Sequence, residues 1–61
     1  MKNTLSEYEI FDNNVEKKMS SNEWFTCSWW QEHDVCQDKI EAGTLQRRWN
    51  EAGNVMEYKA L

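Results

Sequence analysis

The residues whose types and spacing could do chemistry lie in the middle of the chain. Cys27, His33 and Cys36 could ligate a metal, and His33 with Cys36, three residues apart, could act as base and nucleophile. A structural zinc site needs four ligands at recognised spacings, and these residues supply three. Carboxylates work as acids and bases in clefts that shift their pKa values, for which so short a chain leaves little room. We therefore expect no metal, no cofactor and no enzymatic activity.

A second pattern is a stripe of acids headed by a tryptophan. On a helix, four residues would share one face within about 80°. They are Trp30, Asp34, Asp38 and Glu41. A parallel row of acids on the preceding segment comprises Glu9, Asp12 and Glu16. Two rows of fixed negative charge resemble a nucleic-acid backbone, whereas the plainer alternative is a solvated face that keeps the protein soluble.

The charge of the chain is negative and unevenly distributed. Its 61 residues include eleven acids and seven Lys or Arg residues, a formal net charge of -4. Nine of the acids but only three of the bases lie in residues 7–41, whereas residues 42–61 hold two acids and three bases. Nucleic-acid binders gain most of their affinity by placing cations against phosphates. The acidic segment therefore favours a basic protein surface, and not nucleic acid, as the partner.

Size and hydropathy limit the core and the location. A chain of this length buries only about 60% of the surface that it exposes when unfolded, so we expect one small domain over residues 1–61. A partner or a homodimer could complete its core. No apolar run approaches the roughly 20 residues of a transmembrane helix, and residues 1–7 lack the apolar region of a secretory signal. We expect a cytoplasmic protein with no membrane contact.

The two cysteines, Cys27 and Cys36, are expected to be free thiols in a reducing compartment. If both belonged to one helix, the rise of that helix would place them roughly 13 Å apart, which is too far for a disulfide.

Three segments carry apolar residues at helical spacing, which predicts an all-α fold. The first follows a capping-box pattern at residues 4–7, and its apolar residues fall within an arc of about 120°. They are Leu5, Tyr8, Phe11, Val15 and Met19. The third begins at Thr44, after Gly43, and should end near residues 53–54. Its apolar residues are Leu45, Trp49, Ala52 and Met56.

The second segment has two interpretations. A capping-box pattern at residues 20–23 precedes a predicted helical face with His33 at its edge. The face comprises Phe25, Trp29, Cys36 and Ile40. Residues 24–30 are also rich in β-favouring types, so the alternative is an α+β fold with a strand or hairpin at residues 23–30. The cap and the continuing spacing favour a bundle of three short helices.

Residues 44–53 read TLQRRWNEAG and resemble the recognition helix of small excisionases and related helix-turn-helix proteins. The resemblance covers about ten residues and implies a DNA-binding regulator as one function. It implies that Arg47 and Arg48 contact bases and phosphates, that Gln46 and Asn50 read adenine edges, and that Trp49 is in the core. The acidic residues 7–41 depart from the basic surroundings that such proteins usually have.

The leading hypothesis is a small acidic protein that binds another protein. In size, charge and aromatic content the chain resembles phage-encoded inhibitors of host defence or transcription, among them anti-CRISPR and DNA-mimic proteins. The resemblance implies an inhibitor that occupies a Lys- and Arg-lined nucleic-acid groove on a host complex, using Trp30 and the two acid rows. A third interpretation is a structural or antitoxin-like module that a partner or dimerisation stabilises.

Overall fold

The computed structural model describes residues 6–61, in which two helices precede a β-hairpin. In chain order the elements are α1 (Glu7–Met19), α2 (Trp30–Glu41), β1 (Leu45–Asn50) and β2 (Val55–Ala60). The prediction of an all-α bundle of three helices is therefore wrong, and the α+β alternative is the correct class. Its hairpin lies at residues 45–60, however, and not at residues 23–30.

Helix α1 begins with a capping box, although at a different position from the one predicted. Ser6 is the N-cap: its hydroxyl accepts from the Glu9 N–H at 3.2 Å, and the Glu9 carboxylate accepts from the Ser6 N–H at 3.3 Å. The predicted box over residues 4–7 and the apolar residue Leu5 fall wholly or partly outside the described residues. Val15 is fully buried, with Phe11 and Met19 packed beside it, so the predicted apolar stripe is largely confirmed.

The predicted start of a second helix at residues 20–23 is wrong, because these residues end α1. The Ser20 and Ser21 hydroxyls donate to the carbonyls of Lys17 and Lys18, at 2.7 and 2.8 Å. Serine hydroxyls that bond to nearby carbonyls compete with helix formation. Asn22 then takes a left-handed conformation with φ 61°, from which a helix cannot continue.

Residues 23–29 form a connection that belongs to neither helix, and α2 starts only at Trp30. Within this connection Phe25 forms a β-bridge, because its N–H and C=O pair with those of Tyr58 at 2.8 Å each. Phe25 thus adds one antiparallel bridge to the outer edge of β2. This bridge is all that the structure retains of the predicted strand at residues 23–30. Trp29, which was predicted on an apolar helix face, is 59% exposed.

The predicted third helix is also wrong, because residues 45–60 form an antiparallel hairpin. Leu45 lies opposite Ala60, and Asn50 lies opposite Val55. The four-residue loop closes through a 3.2 Å hydrogen bond from the Asn54 N–H to the Glu51 carbonyl, with Asn54 left-handed at φ 53°. Such loops are usually built around a type I turn. Trp49, predicted in the core, is 52% exposed.

The core lies where α1 and β1 pack against α2. The buried residues form one small cluster to which both helices and both strands contribute: Val15, Val35, Cys36, Leu45 and Tyr58. Phe25 and Ile40 pack against them from the connection and from α2. Within residues 6–61, neither helix has the length and apolar character that crossing a bilayer requires.

Candidate acidic and aromatic site

A small pocket opens between the first turns of α1 and α2. Its volume is about 170 Å³. The lining residues come from both helices: Glu7, Tyr8, Phe11, Trp30, Gln31 and Asp34. The first two turns of each helix supply these residues. Two of the predicted binding residues, Trp30 and Asp34, are therefore neighbours in a concave site.

Two of the lining residues, Asp34 and Gln31, carry hydrogen-bond acceptors with different surroundings. Asp34 is exposed and lies within ion-pair distance of no cation among the residues that the structure describes. The Gln31 side-chain oxygen is buried and has no hydrogen-bond partner within the described chain. A buried acceptor without a donor is costly. Trp30, which is 68% exposed, adds the face of an indole ring beside these groups.

Asp38 lies one turn beyond Asp34 and is tied to α1. The Tyr8 hydroxyl donates a hydrogen bond of 2.8 Å to the Asp38 carboxylate. This hydrogen bond, with burial and the charges of Asp38 and Asp12, raises the pKa of Tyr8 and keeps the phenol protonated. The bond spans the two helices and continues the acidic face from the pocket along α2.

Two other predicted acids are partly neutralised inside the molecule. Lys39 of α2 binds Asp12 at 2.8 Å and also binds Glu16, both on α1. Burial lowers the pKa of Lys39, but the hydrogen bonds to the two carboxylates outweigh it, so that its pKa is raised. Of the three acids predicted to form a row on α1, Asp12 and Glu16 thus join α1 to α2 through Lys39.

The remaining two predicted acids have local partners. Glu9 completes the capping box of α1, and Glu41 accepts a 3.2 Å hydrogen bond from Gln37 one turn earlier in α2. Neither residue lines the pocket. The structure therefore divides the predicted set into a pocket pair, Trp30 and Asp34, an adjoining Asp38, and acids with structural partners.

Four residues that line this pocket were not predicted as binding residues, namely Glu7, Tyr8, Phe11 and Gln31. Tyr8 was assigned to the apolar stripe of α1, but it is 49% exposed and its hydroxyl faces α2. Glu7 was placed only in a cap, and Gln31 carried no pattern. The spacing of Glu7 and Tyr8 from Phe11 would have put them on one helix face, but their approach to α2 depends on tertiary packing.

The residues of the alternative DNA-binding hypothesis lie on the hairpin, and two of them, Arg48 and Asn50, bind the same carboxylate. The Arg48 guanidinium is 3.9 Å from the centre of the Trp24 ring and donates to Glu57 at 2.8 Å. Asn50 donates to the other oxygen of Glu57 at 3.1 Å. Arg48 and then Asn50 lower the pKa of the Glu57 carboxyl. No recognition helix exists at residues 44–53, so the helix-turn-helix interpretation of this segment is wrong.

The other two residues of that hypothesis do not form a basic groove. Arg47 is exposed and donates to the side-chain oxygen of Gln37 at 3.0 Å, while Gln46 is half-buried. An open depression of about 580 Å³ at the end of the hairpin is lined by consecutive residues of one segment, Arg48, Trp49, Asn50 and Glu51. It is a concavity of the surface and not a cleft between elements.

The two cysteines contradict the prediction that separated them on one helix. Cys27 lies in the connection between the helices and Cys36 in α2, and their sulfur atoms are 3.8 Å apart. His33 faces a different residue, because its Nδ1 and the Tyr58 hydroxyl share a hydrogen bond of 2.7 Å. Among the described residues, no cluster of three or more His, Cys, Asp or Glu side chains could hold a metal ion.

Comparison of the chain with models of known protein families, with curated proteins and with solved structures finds no match.

Proposed function

We propose that the protein binds a basic surface of a nucleic-acid-handling protein through the pocket between α1 and α2, and thereby blocks nucleic acid from that surface. The observation that supports this most directly is the pocket itself, where the exposed Trp30 lies beside Asp34. The proposed action is that of an inhibitor that imitates nucleic acid, as in phage-encoded inhibitors of host complexes.

An arginine or lysine side chain of the partner fits the chemistry of the pocket. A guanidinium stacks on an indole face and donates in several directions at once, which suits Trp30 and Asp34 together. The apolar part of the side chain would pack on Phe11 at the floor of the pocket.

The charge around the pocket supports a cationic partner over an anionic one. Asp38 extends the negative surface next to the pocket, and Glu7 lies on its opposite wall. The arginines of the hairpin, in contrast, are occupied by Glu57, Trp24 and Gln37. A basic partner is therefore attracted over this face, whereas phosphates are repelled.

The first prediction concerns Trp30 and Asp34. Trp30→Ala should weaken binding of an arginine-rich peptide about 30-fold, because truncating an anchor aromatic costs about 2 kcal/mol. Asp34→Lys should weaken it at least as much, because the change replaces an attraction with a like-charge contact. Calorimetry gives the affinities, and NMR shifts of the Trp30 indole and Gln31 amide protons report whether the peptide occupies the pocket.

The matched controls are the neighbouring tryptophan and a distant acid. Trp29→Ala removes an equally exposed indole that does not line the pocket, and Glu51→Lys makes the same change in net charge at the tip of the hairpin. Both should leave the affinity nearly unchanged. If Glu51→Lys weakens binding as much as Asp34→Lys, the attraction is only that of net charge and the pocket assignment fails.

A second measurement tests inhibition. A basic DNA-binding protein that the immobilised chain retains at moderate salt should lose its affinity for duplex DNA when the chain is added, and Asp34→Lys should restore it. The double variant Arg47→Ala, Arg48→Ala should inhibit normally. Two results would overturn the proposal. One is that the Asp34→Lys variant still inhibits while the double arginine variant no longer does, and the other is that the chain itself binds duplex DNA.

A further inference from the structure

The two cysteines form a pair that the fold assembles from separate elements. Cys27 is half-buried in the connection between the helices, Cys36 is fully buried in α2, and the two sulfur atoms are in contact at 3.8 Å. No third ligand joins them in a metal site within residues 6–61. The residues between them include the first turn of α2, so their proximity depends on the turn of the chain at Ser28 and Trp29.

The environment of the pair distinguishes the two thiols. The Lys18 ammonium is held beside Cys27 by the Thr26 carbonyl at 3.2 Å and by the buried Glu32 carboxylate at 3.1 Å. The two thiols share a hydrogen bond, and this bond, with the charge of Lys18, lowers the pKa of Cys27 against the opposing effects of burial and Glu32. The same bond, together with burial, raises the pKa of Cys36.

We propose that Cys27 and Cys36 are a redox-active pair that a small-molecule disulfide such as oxidised glutathione converts to an intramolecular disulfide. The Cys27 thiolate attacks one sulfur of the oxidant and expels one glutathione thiolate, which leaves a mixed disulfide on Cys27. Cys36 then loses its proton to the expelled thiolate, attacks the Cys27 sulfur and expels the second glutathione thiolate. Two protein thiols are oxidised to one disulfide, and one oxidised glutathione is reduced to two thiols.

Oxidation should stabilise the fold. The new bond would fasten the connection to α2 at a point where Phe25 and Lys18 already attach the same connection to β2 and α1. Because the sulfurs are already in contact, the bond can form with little movement of the two elements. A native disulfide of this kind restricts the unfolded chain, and we expect the melting temperature of the oxidised chain to be about 10 °C higher.

The test uses the whole chain in buffers of reduced and oxidised glutathione. Free thiols are counted by alkylation, and the mass of the monomer should fall by two hydrogens as the disulfide forms. The same titration in concentrated urea is the control for proximity in an unfolded chain. The folded chain should become oxidised at a glutathione ratio that is more reducing by at least about tenfold, since a fold that the disulfide stabilises favours the disulfide equally.

Single variants test the order of attack. Cys36→Ala should stop at the mixed disulfide and accumulate glutathione on Cys27, whereas Cys27→Ser should acquire glutathione far more slowly, because Cys36 is buried. Circular dichroism checks that each variant is folded, and the measurements on the unmodified chain do not depend on them. The proposal is overturned if the folded chain keeps both thiols where the urea-unfolded chain loses them, if the folded chain forms only linked dimers, or if Cys27→Ser reacts as fast as Cys36→Ala.

Discussion

Tyr58 links the hairpin, the connection and α2 through one side chain. Tyr58 is only 4% exposed, its backbone pairs with that of Phe25, and its hydroxyl shares a 2.7 Å hydrogen bond with Nδ1 of His33. Its ring also lies against the rings of Phe25 and His33, with centres 5.9 and 5.6 Å away. A buried phenol is held in its neutral form, because the phenolate would lose its hydration.

This burial predicts a pH dependence of stability. Burial, followed by the nearby Cys36 and Cys27, raises the pKa of Tyr58 to about 12, above the value of about 10 that it has in an unfolded chain. The contribution of Tyr58 to the free energy of unfolding is therefore complete below about pH 10 and is lost as the pH rises toward 12. Urea unfolding measured at increasing pH should show this decline.

Two tyrosine variants separate this effect from other titrations. Tyr58→Phe removes the ionising group and should lose the larger part of the alkaline decline, whereas Tyr8→Phe, at a half-exposed position, should lose only the smaller part that its hydrogen bond to Asp38 causes. An equal alkaline decline in the chain with Tyr58→Phe would show that other groups cause it.

The end of α2 determines where the hairpin begins. The Gly43 N–H donates to the Ile40 carbonyl, and the Thr44 N–H donates to the Lys39 carbonyl, each at 3.0 Å. This pair of bonds is the Schellman motif, which requires a left-handed residue after the C-cap. Gly43 meets the requirement with φ 83°, and the chain then turns into β1.

Gly43→Ala should lower the free energy of unfolding by about 1 kcal/mol, because an alanine is strained in the left-handed region. The strain is the only expected cost, since a Cβ atom at this position would meet no atom within 4 Å. Gly43→Asn is the matched control and should cost less, because asparagine tolerates this conformation. Urea unfolding gives both values, and equal losses would show that backbone conformation is not the cause.

The elements differ in how much of them the sequence could predict. α1 was predictable because its apolar residues keep helical spacing over several turns and Val15, at their centre, is the buried residue. The hairpin was not, because Leu45, Trp49 and Met56 fit a helical spacing as well as they fit two short strands. Six-residue strands contain too few residues for periodicity to distinguish the two.

The prediction of a helix start at residues 20–23 was wrong for a different physical reason. A serine followed three residues later by a glutamate is typical of a helix start, but serine hydroxyls also bond to the carbonyls at a helix end. Ser20 and Ser21 do the latter. The same error affected the cysteines, because a helix that began at residues 20–23 would have included both Cys27 and Cys36 and separated them along its axis. At the candidate site, Trp30 and Asp34 were identified because they belong to α2 in either case, whereas Gln31 and Glu7 became visible only with the packing of α1.

At the scale of the whole molecule, α2 is the central element. α1 packs on one side of it and β1 on another, and the connection between the helices holds all of them together. Phe25 joins the connection to β2, and Lys18 joins it to α1 and to Glu32 of α2. The proposed binding pocket lies between α1 and α2, so its shape depends on how these two helices dock.

Lys39 is expected to be the main ionic contact that sets this docking. Its side chain is only 14% exposed and binds Asp12 and Glu16 of α1. Lys39→Met should lower the free energy of unfolding by about 1 kcal/mol, because the variant keeps the aliphatic packing but leaves two carboxylates to repel each other. Lys17→Met, at an exposed position of α1, is the matched control and should change stability little.

Because the pKa of Lys39 is raised above 10.5, the contribution of Lys39 to stability should persist below that pH and disappear as the lysine deprotonates above it. The difference between the two variants should also shrink in high salt, which screens partly exposed charges. Equal stability of the two variants near neutral pH and at low salt would show that the ion pairs of Lys39 do not stabilise the docking of α1 on α2.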